Sequence, residues 1–553
     1  MNLNNTAFYI YFHFHFCVHM DIDCLPFKNT GYFSKLICDY ISEDGQLAPF
    51  YIRFPNLENF QEQIAEKKAS FPLENRQVLQ TALMHQYENY TVSRSTQQHI
   101  AAVTDENTFT VVTGHQLNLF TGPLYFLYKI ISTINLCETL KKKYPEQHFV
   151  PIYWMATEDH DFEEINYFNF KGKKIQWNKD ASGAVGHLTT DGLEEVLATY
   201  LNLLGTNINA KTLNELFEAA YLKHKNLTQA TRYLANELFG AYGLVIVDGD
   251  DARLKSLLIP FAKKDILEQT AHKAVSETIV KLQALETDYG VQVNPREINY
   301  FYLIDGLRER IVERDGMYYV NDTNIKFSKE ALLEELQAHP ERFSPNVIAR
   351  PLYQEVILPN LCYIGGGGEL AYWLELKTAF EAMKVPFPML LLRNSALVIT
   401  QKQKKKLQKL NISLEEVFLK QNTLINKKIR QVSNINIDFT PLRKQLEEQF
   451  KSLYEVAEQT DKSFLGAVKA QEVKQKKGLD HLEKRLLKAQ KHKLADHVSR
   501  LAELQNELFP GKSLQERNLN FSELYLEYGE ALIPMLFKAL NPLKQEFVIL
   551  TAE

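Results

Sequence analysis

Apolar residues along this chain keep two different rhythms. Four short unbroken runs, Phe109–Gly114 (FTVVTG), Phe149–Ala156 (FVPIYWMA), Leu244–Val247 (LVIV) and Pro388–Leu392 (PMLLL), have the character of strands buried on both faces. Between the first two, Pro123–Leu140 carries apolar residues at helical spacing, so this stretch predicts strand, loop and helix. The series predicts an α/β core, a parallel sheet with helices between its strands. Segment 192–240, with LEEVLATYLNLL, LNELFEAAYL and ATRYLANELF, reads as helical and is expected as an insertion between core strands.

Beyond about residue 400 glycine and proline thin out, and Lys, Glu, Gln and Leu dominate as in long exposed helices. Leu442, Leu446, Phe450, Leu453 and Val456 step by three or four, as do Leu479, Leu482 and Leu486, then Leu494, Val498 and Leu501. That stepping predicts a coiled-coil arm; Gly478 and the gaps in register keep an ordinary helical subdomain as the alternative. The expected division is a core over residues 20–398 and an arm over 399–553, whose C-terminal segment returns to the core.

A length of 553 residues exceeds what one hydrophobic core organises, so two or three folded units are expected. The hydrophobic share of 45% and charged share of 24% exclude a disordered chain. A net charge of −5 argues against a surface built for nucleic acid, so any anion site must be local. Cys17, Cys24, Cys38, Cys137 and Cys362 are scattered, without a CxxC pair, which fits a reducing cytoplasm. The apolar run Ala7–Val18 is too short for a spanning helix and lacks the basic flank of a signal peptide, so no membrane role is expected. A translation start placed ahead of Met20 would account for residues 1–19 as an extension without a function.

Three loops could carry chemistry. Thr113–Tyr125 lies between a predicted strand and a predicted helix, where α/β sheets bind ligands. Gly114 and Gly122 permit close backbone approach, helix-start amides attract anions, and His115, Gln116, Asn118 and Thr121 can add hydrogen bonds. A tight turn capped by Thr121, with no ligand, is the plainer reading. Glu158–Glu164 (EDHDFEE) follows the second strand; crowded carboxylates around His160 suit general acid or base work. The same loop also suits a helix start capped by Asp159 or Asp161. The third place is Arg350 followed by Gly365, Gly366, Gly367, Gly368, Glu369 and Tyr372, where backbone can approach a nucleotide or an acid.

The segments VVTGHQLNLFTGPLYFLYKI, VPIYWMATEDHDFEEIN, YGLVIVDGDD and RPLYQEVILPNLCYIGGGGELAYW, in this order and spread over nearly the whole chain, resemble the signature segments of the BshC family. The resemblance implies a Rossmann-like core with helical insertions and a C-terminal α-helical coiled-coil arm used in homodimerisation. It implies addition of L-cysteine to glucosaminyl-malate through an amide bond, the last step to bacillithiol. It also implies nucleotide binding, ATP or ADP, with Mg²⁺ accompanying the nucleotide. Amide formation needs an activated carboxyl and a neutral amine, because a free carboxylate is a poor electrophile and an ammonium has no lone pair. On this basis Asp159, His160 and Asp161 are expected to move protons. Gly114, His115, Gln116, Asn118, Thr121 and Gly122 are expected to cradle an anion or nucleotide, with Arg350, Gly365–Gly368, Glu369 and Tyr372 as the opposite wall. The chain departs from the family pattern at His115, where glutamine is usual, and at Gly367, where proline is usual; His115 is therefore not expected to be an indispensable base. Neither a HIGH nor a KMSKS sequence is present, so adenylate formation is inferred and not read.

The competing reading is a metal-dependent hydrolase or amidase centred on Glu158–Glu164, although the spacing is no HExxH and no protein-bound metal is expected. A scaffold that merely keeps an α/β head is a third class. Lys402–Lys409 and Lys469–Lys493 are rich in lysine, which reads as a solvated helical face or, alternatively, a surface for nucleotide phosphate.

Overall fold

The structure, a computed structural model, describes residues 20–552 apart from 286–288. The proposed extension over residues 1–19 lies outside the described residues. The chain forms two compact units, one holding Tyr32–Val398 and Ser513–Glu553 with the strand that starts at Met20, the other holding Ile399–Lys512.

Five parallel strands form the centre of the first unit, in the spatial order Met389–Leu392, Asn360–Gly365, Thr108–His115, His148–Met155, Val245–Asp248. Each of the four apolar runs expected as strands is one of these, give or take a residue, and Asn360–Gly365 is the fifth. Thr108–His115 is buried along its whole length, which is why its apolar residues run unbroken instead of alternating. The helix Tyr125–Lys143 follows it, and Leu136, Cys137 and Leu140 from that helix share a core with Phe109, Val111, Phe149, Leu361 and Met389. Residues 192–240 form the helices Leu193–Leu204, Ile208–Phe217 and Leu227–Phe239, with a π-helical turn between the second and third.

Other sheets were not anticipated. Tyr300–Ile304, Leu307–Arg314, Met317–Val320, Lys326–Phe327 and Phe343–Pro345 form a five-stranded antiparallel sheet, whose longest strand reads LRERIVER. Only Arg308 and Ile311 of its residues are buried, and one of these is charged, so the strand shows no apolar alternation and its register is lost in charge. A second sheet pairs Met20–Pro26 with Glu546–Ala552, and Glu546–Ala552 in turn with Ala396–Thr400.

In the second unit, Thr440–Glu458 and Lys462–Lys493 lie antiparallel across a short connection capped by Asp461. Arg443 pairs with Asp480 and Glu483, and Lys476 with Glu447, which fixes their register. Their seam holds Phe450, Ala457 and Val468, with Leu446 and Tyr454 beside it. The expected stripe is thus only partly the seam: Leu442, Leu453 and Val456 are exposed, because two facing helices cover a narrower arc than the apolar residues occupy.

One buried acid in the first unit makes a pH prediction. Asp265 accepts the Ala271 amide at 2.7 Å, while its other carboxyl oxygen has no hydrogen-bond partner. Burial pushes its pKa from 3.8 to about 6. The folded chain therefore holds this proton more tightly than the unfolded chain, and the contribution is present at low pH and lost as pH rises through the folded value. Wild type is expected to lose up to about 3 kcal/mol relative to Asp265→Asn between pH 3.8 and about 6. Paired urea titrations across that window check it; a constant difference between the two proteins would refute it.

Candidate active site

A cavity of about 770 Å³ opens at the C-terminal edge of the parallel sheet. Its walls come from the ends of four strands, through Gly114–Gln116, Met155–His160, Gly366–Glu369 and Arg393. Strands Thr108–His115 and Asn360–Gly365 are neighbours, yet the chain continues from the first toward Val245–Asp248 and from the second toward Met389–Leu392. Connections that leave in opposite directions open a crevice, the place where doubly wound sheets take their ligands.

Lys129, Arg296, Arg308, Arg310, Arg350, Arg393 and Arg517 all line this cavity, against the carboxylates Glu158, Asp159 and Glu369. Glu369 is its best-held acid. It accepts from Lys129 Nζ at 2.7 Å, from the Tyr363 hydroxyl at 2.7 Å and from the Gly366 amide at 2.8 Å. Burial pushes this carboxyl up, but the Lys129 charge and these donors outweigh burial and hold it below the usual carboxylate range. Burial pushes the Lys129 ammonium down, offset by Glu369. Lys129 also donates to the Gly114 carbonyl at 2.6 Å, so one side chain ties two strand ends together. Gly114 permits the assembly, since a Cβ there would stand 3.2 Å from the Tyr363 hydroxyl.

Two arginines keep spare donors. Arg393 is 4% exposed and binds Glu516 at 2.7 Å, yet its Nε has no hydrogen-bond partner. Arg350 lies over the Trp154 and Tyr363 rings with Nη2 unpartnered. Unsatisfied buried donors are costly in a native fold, and both residues line the cavity. His115 is buried, and burial with the nearby Lys129 charge pushes its pKa well down, so it stands as a neutral imidazole.

The Glu158–Glu164 loop does not gather into a metal-binding set; among the described residues no group of three or more His, Cys, Asp and Glu does. Each acid on the cavity side has another partner. Glu158 binds the buried Lys255. Asp159 accepts from Gln116 at 2.8 Å and from the His160 amide at 2.8 Å. Gln116 donates in addition to Glu164, and Arg308 donates to His160.

Of the residues singled out in sequence, the cavity brings together Gly114, His115, Gln116, Asp159, His160, Arg350, Gly366, Gly367, Gly368, Glu369 and Tyr372. Five expected contributors do not line it. Asp161 is exposed just before the short helix Phe162–Ile165 and makes no side-chain cap there. Gly365 is the last buried residue of its strand, closed in by Leu370 and Tyr363. Asn118, Thr121 and Gly122 are turned inward. The backbone of Phe120, Thr121 and Gly122 has positive φ, and Asn520 clamps it by donating to the Phe120 and Gly122 carbonyls. Asn118 donates to the Glu164 carbonyl, and the Leu124 amide is taken by the Leu519 carbonyl, so this loop is a structural corner and not an open anion cradle.

Lys129, Arg296, Arg308, Arg310, Arg393 and Arg517 were missed. Two of them left a signal: Lys129 is a lone lysine inside the apolar helical run YFLYKII, and Arg393 follows directly on a strand. Arg308 and Arg310 hide in the charge-rich LRERIVER strand.

The strand order and its switch-point cavity make this a doubly wound, Rossmann-like α/β protein carrying a helical coiled-coil unit. Residues 20–394 match the family described as bacillithiol biosynthesis BshC, N-terminal Rossmann-like domain, and residues 396–552 match the BshC C-terminal coiled-coil domain. The chain belongs to the BshC family. A Flavobacterium johnsoniae relative is 59% identical over 96% of this chain and 100% of its own length, and one from Christiangramia forsetii is 60% identical over 96% and 99%. One from Bacillus cytotoxicus is 28% identical over 89% and 94%. All three bear the name "Putative cysteine ligase BshC".

Proposed function

We propose that this protein is a ligase that joins the carboxyl of L-cysteine to the amine of glucosaminyl-malate, the amide-forming last step of bacillithiol biosynthesis. Family membership supports the reaction. The observation that carries it to this cavity is the set of seven basic side chains on the walls of one switch-point crevice, which suits substrates bearing carboxylates.

Within that reading ATP, with Mg²⁺, supplies activation of the cysteine carboxyl. The unpartnered Arg350 Nη2 and Arg393 Nε fit a phosphate or carboxylate, and these two residues would hold it beside Gly366–Gly368. Asp159, fixed by Gln116, offers a carboxylate on the cavity wall for the proton that the attacking amine must lose. The basic wall of Arg296, Arg308 and Arg310 orients the malyl carboxylates. Exposed Leu442, Leu453, Val456 and Leu482 on the two long helices support association of two copies through the arm. No helix among the described residues is long and apolar enough to cross a membrane, and we place the reaction in the cytoplasm.

Purified protein incubated with glucosaminyl-malate, cysteine, ATP and Mg²⁺ is expected to yield bacillithiol by mass spectrometry, and omission of any one component is expected to abolish it. Product without ATP would overturn the nucleotide assignment, and no product from folded protein with all four would overturn the ligase.

A further inference from the structure

Arg308 meets His160 in a way that decides where the imidazole proton sits. Arg308 Nη1 lies 2.8 Å from His160 Nδ1. A guanidinium has donors only, so Nδ1 is the acceptor and the neutral ring carries its proton on Nε2. A proton on Nδ1 would set two N–H groups against each other at that distance. Asp159 Oδ1 stands 3.8 Å from Nδ1, beyond hydrogen-bond reach, and already accepts the His160 amide.

The guanidinium cannot readily turn away. Its Nε donates to Ser344 Oγ at 3.0 Å, its Nη2 faces the Pro345 carbonyl at 3.4 Å, and its Cζ lies 4.0 Å from the centre of the Phe301 ring. Arg308 is 9% exposed, whereas the His160 side chain is half exposed and lines the cavity. The anchors come from two other strands of the antiparallel sheet that carries Arg308, so a fixed framework addresses a residue on a loop.

We propose that Arg308 is a positioning residue that locks His160 as the Nε2–H tautomer, so that His160 serves the reaction as a neutral hydrogen-bond donor and not as its base. In amide formation such a donor stabilises the oxygen on which negative charge develops as the amine adds to the activated carboxyl. On this reading His160 does not shuttle the proton, and Asp159 is left for that task. The donor role rests on the ligase reading; the tautomer does not.

Two measurements separate these claims. In full-length protein labelled with ¹⁵N-histidine, the His160 signals, assigned by their loss in His160→Gln, are expected to show an unprotonated Nδ1 and a protonated Nε2 near neutral pH. In Arg308→Met the two tautomers are expected to mix. A protonated Nδ1 in wild type, or an unchanged spectrum in Arg308→Met, overturns the lock whatever the activity. In ligation assays, His160→Ala is expected to lose on the order of 10²–10³-fold in kcat, as for removal of an oxyanion donor. His160→Gln, whose amide can donate from a similar position, is expected to recover most of that loss; His160→Gln as inactive as His160→Ala, with the tautomer intact, overturns the donor role. Wild type that shows the tautomer but makes no product with all four components overturns the ligase reading, and the donor role with it, and leaves the lock standing.

Discussion

Arg393→Met is expected to destabilise the protein by about 3–5 kcal/mol, the usual cost of removing one partner from a buried ion pair. Arg393 and Glu516 are 4% and 1% exposed and meet at 2.7 Å. Glu516 would keep only neutral donors, Ser395 Oγ and the Ala396 amide, for a charge sealed from water. The pair matters beyond its own energy because Glu516 belongs to the segment that begins at Ser513, far in sequence from the strand end that carries Arg393. That segment also supplies Asn520, which clamps the strained Phe120–Gly122 corner, and Arg517 of the cavity wall. Ligation is therefore expected to fall together with stability. Adding Glu516→Leu should recover part of the lost stability, since removing both charges costs less than stranding one. Denaturant titration of the two single variants and the double variant checks this, and a loss below about 1 kcal/mol in Arg393→Met would mean that the pair is not structural.

Lys129→Met is expected to have an effect of similar size, with a signature in pH. Lys129 is 4% exposed and holds both Glu369 and the Gly114 carbonyl. In wild type the Glu369 pKa lies below its ordinary value, so its stabilising contribution is present above that ordinary value and is lost as pH falls through the lowered folded one. Without the ammonium, burial dominates and the folded pKa rises. A carboxyl with a raised folded pKa contributes stability at low pH that is lost as pH rises, so the deficit of the variant relative to wild type should widen as pH rises toward neutrality and narrow as Glu369 is protonated in acid. Ligation at neutral pH should fall by on the order of 10²-fold or more, in line with loss of a charged group from a preorganised site. Stability curves from pH 4 to 8 for both proteins provide the test; a gap between them that does not change with pH would show that Glu369 does not depend on Lys129.

The distinction between what was legible in the sequence and what was not follows the range of the forces involved. Unbroken apolar runs marked four of the five central strands, because a strand buried on both faces needs apolar residues at every position, whereas Asn360–Gly365 was read only as part of a glycine-rich loop region. Helical spacing marked Tyr125–Lys143 and the long helices after residue 400, and strand-to-helix loops marked Gly114–Gln116, Asp159–His160 and Gly366–Glu369 as places where a ligand could meet the sheet. These are local properties, set by neighbours within a few residues. The sheet order, and with it the position of the crevice, depends on which strands pair across gaps of more than two hundred residues, as Thr108–His115 does with Asn360–Gly365. Local pattern carries no information on that choice. Nor could it foresee that Asn520 turns the Asn118–Gly122 corner away from the cavity, or that Arg308, on a strand whose charges hid its register, sets the proton of His160. Charged groups act through space at a few ångströms, and only the folded chain brings them that close.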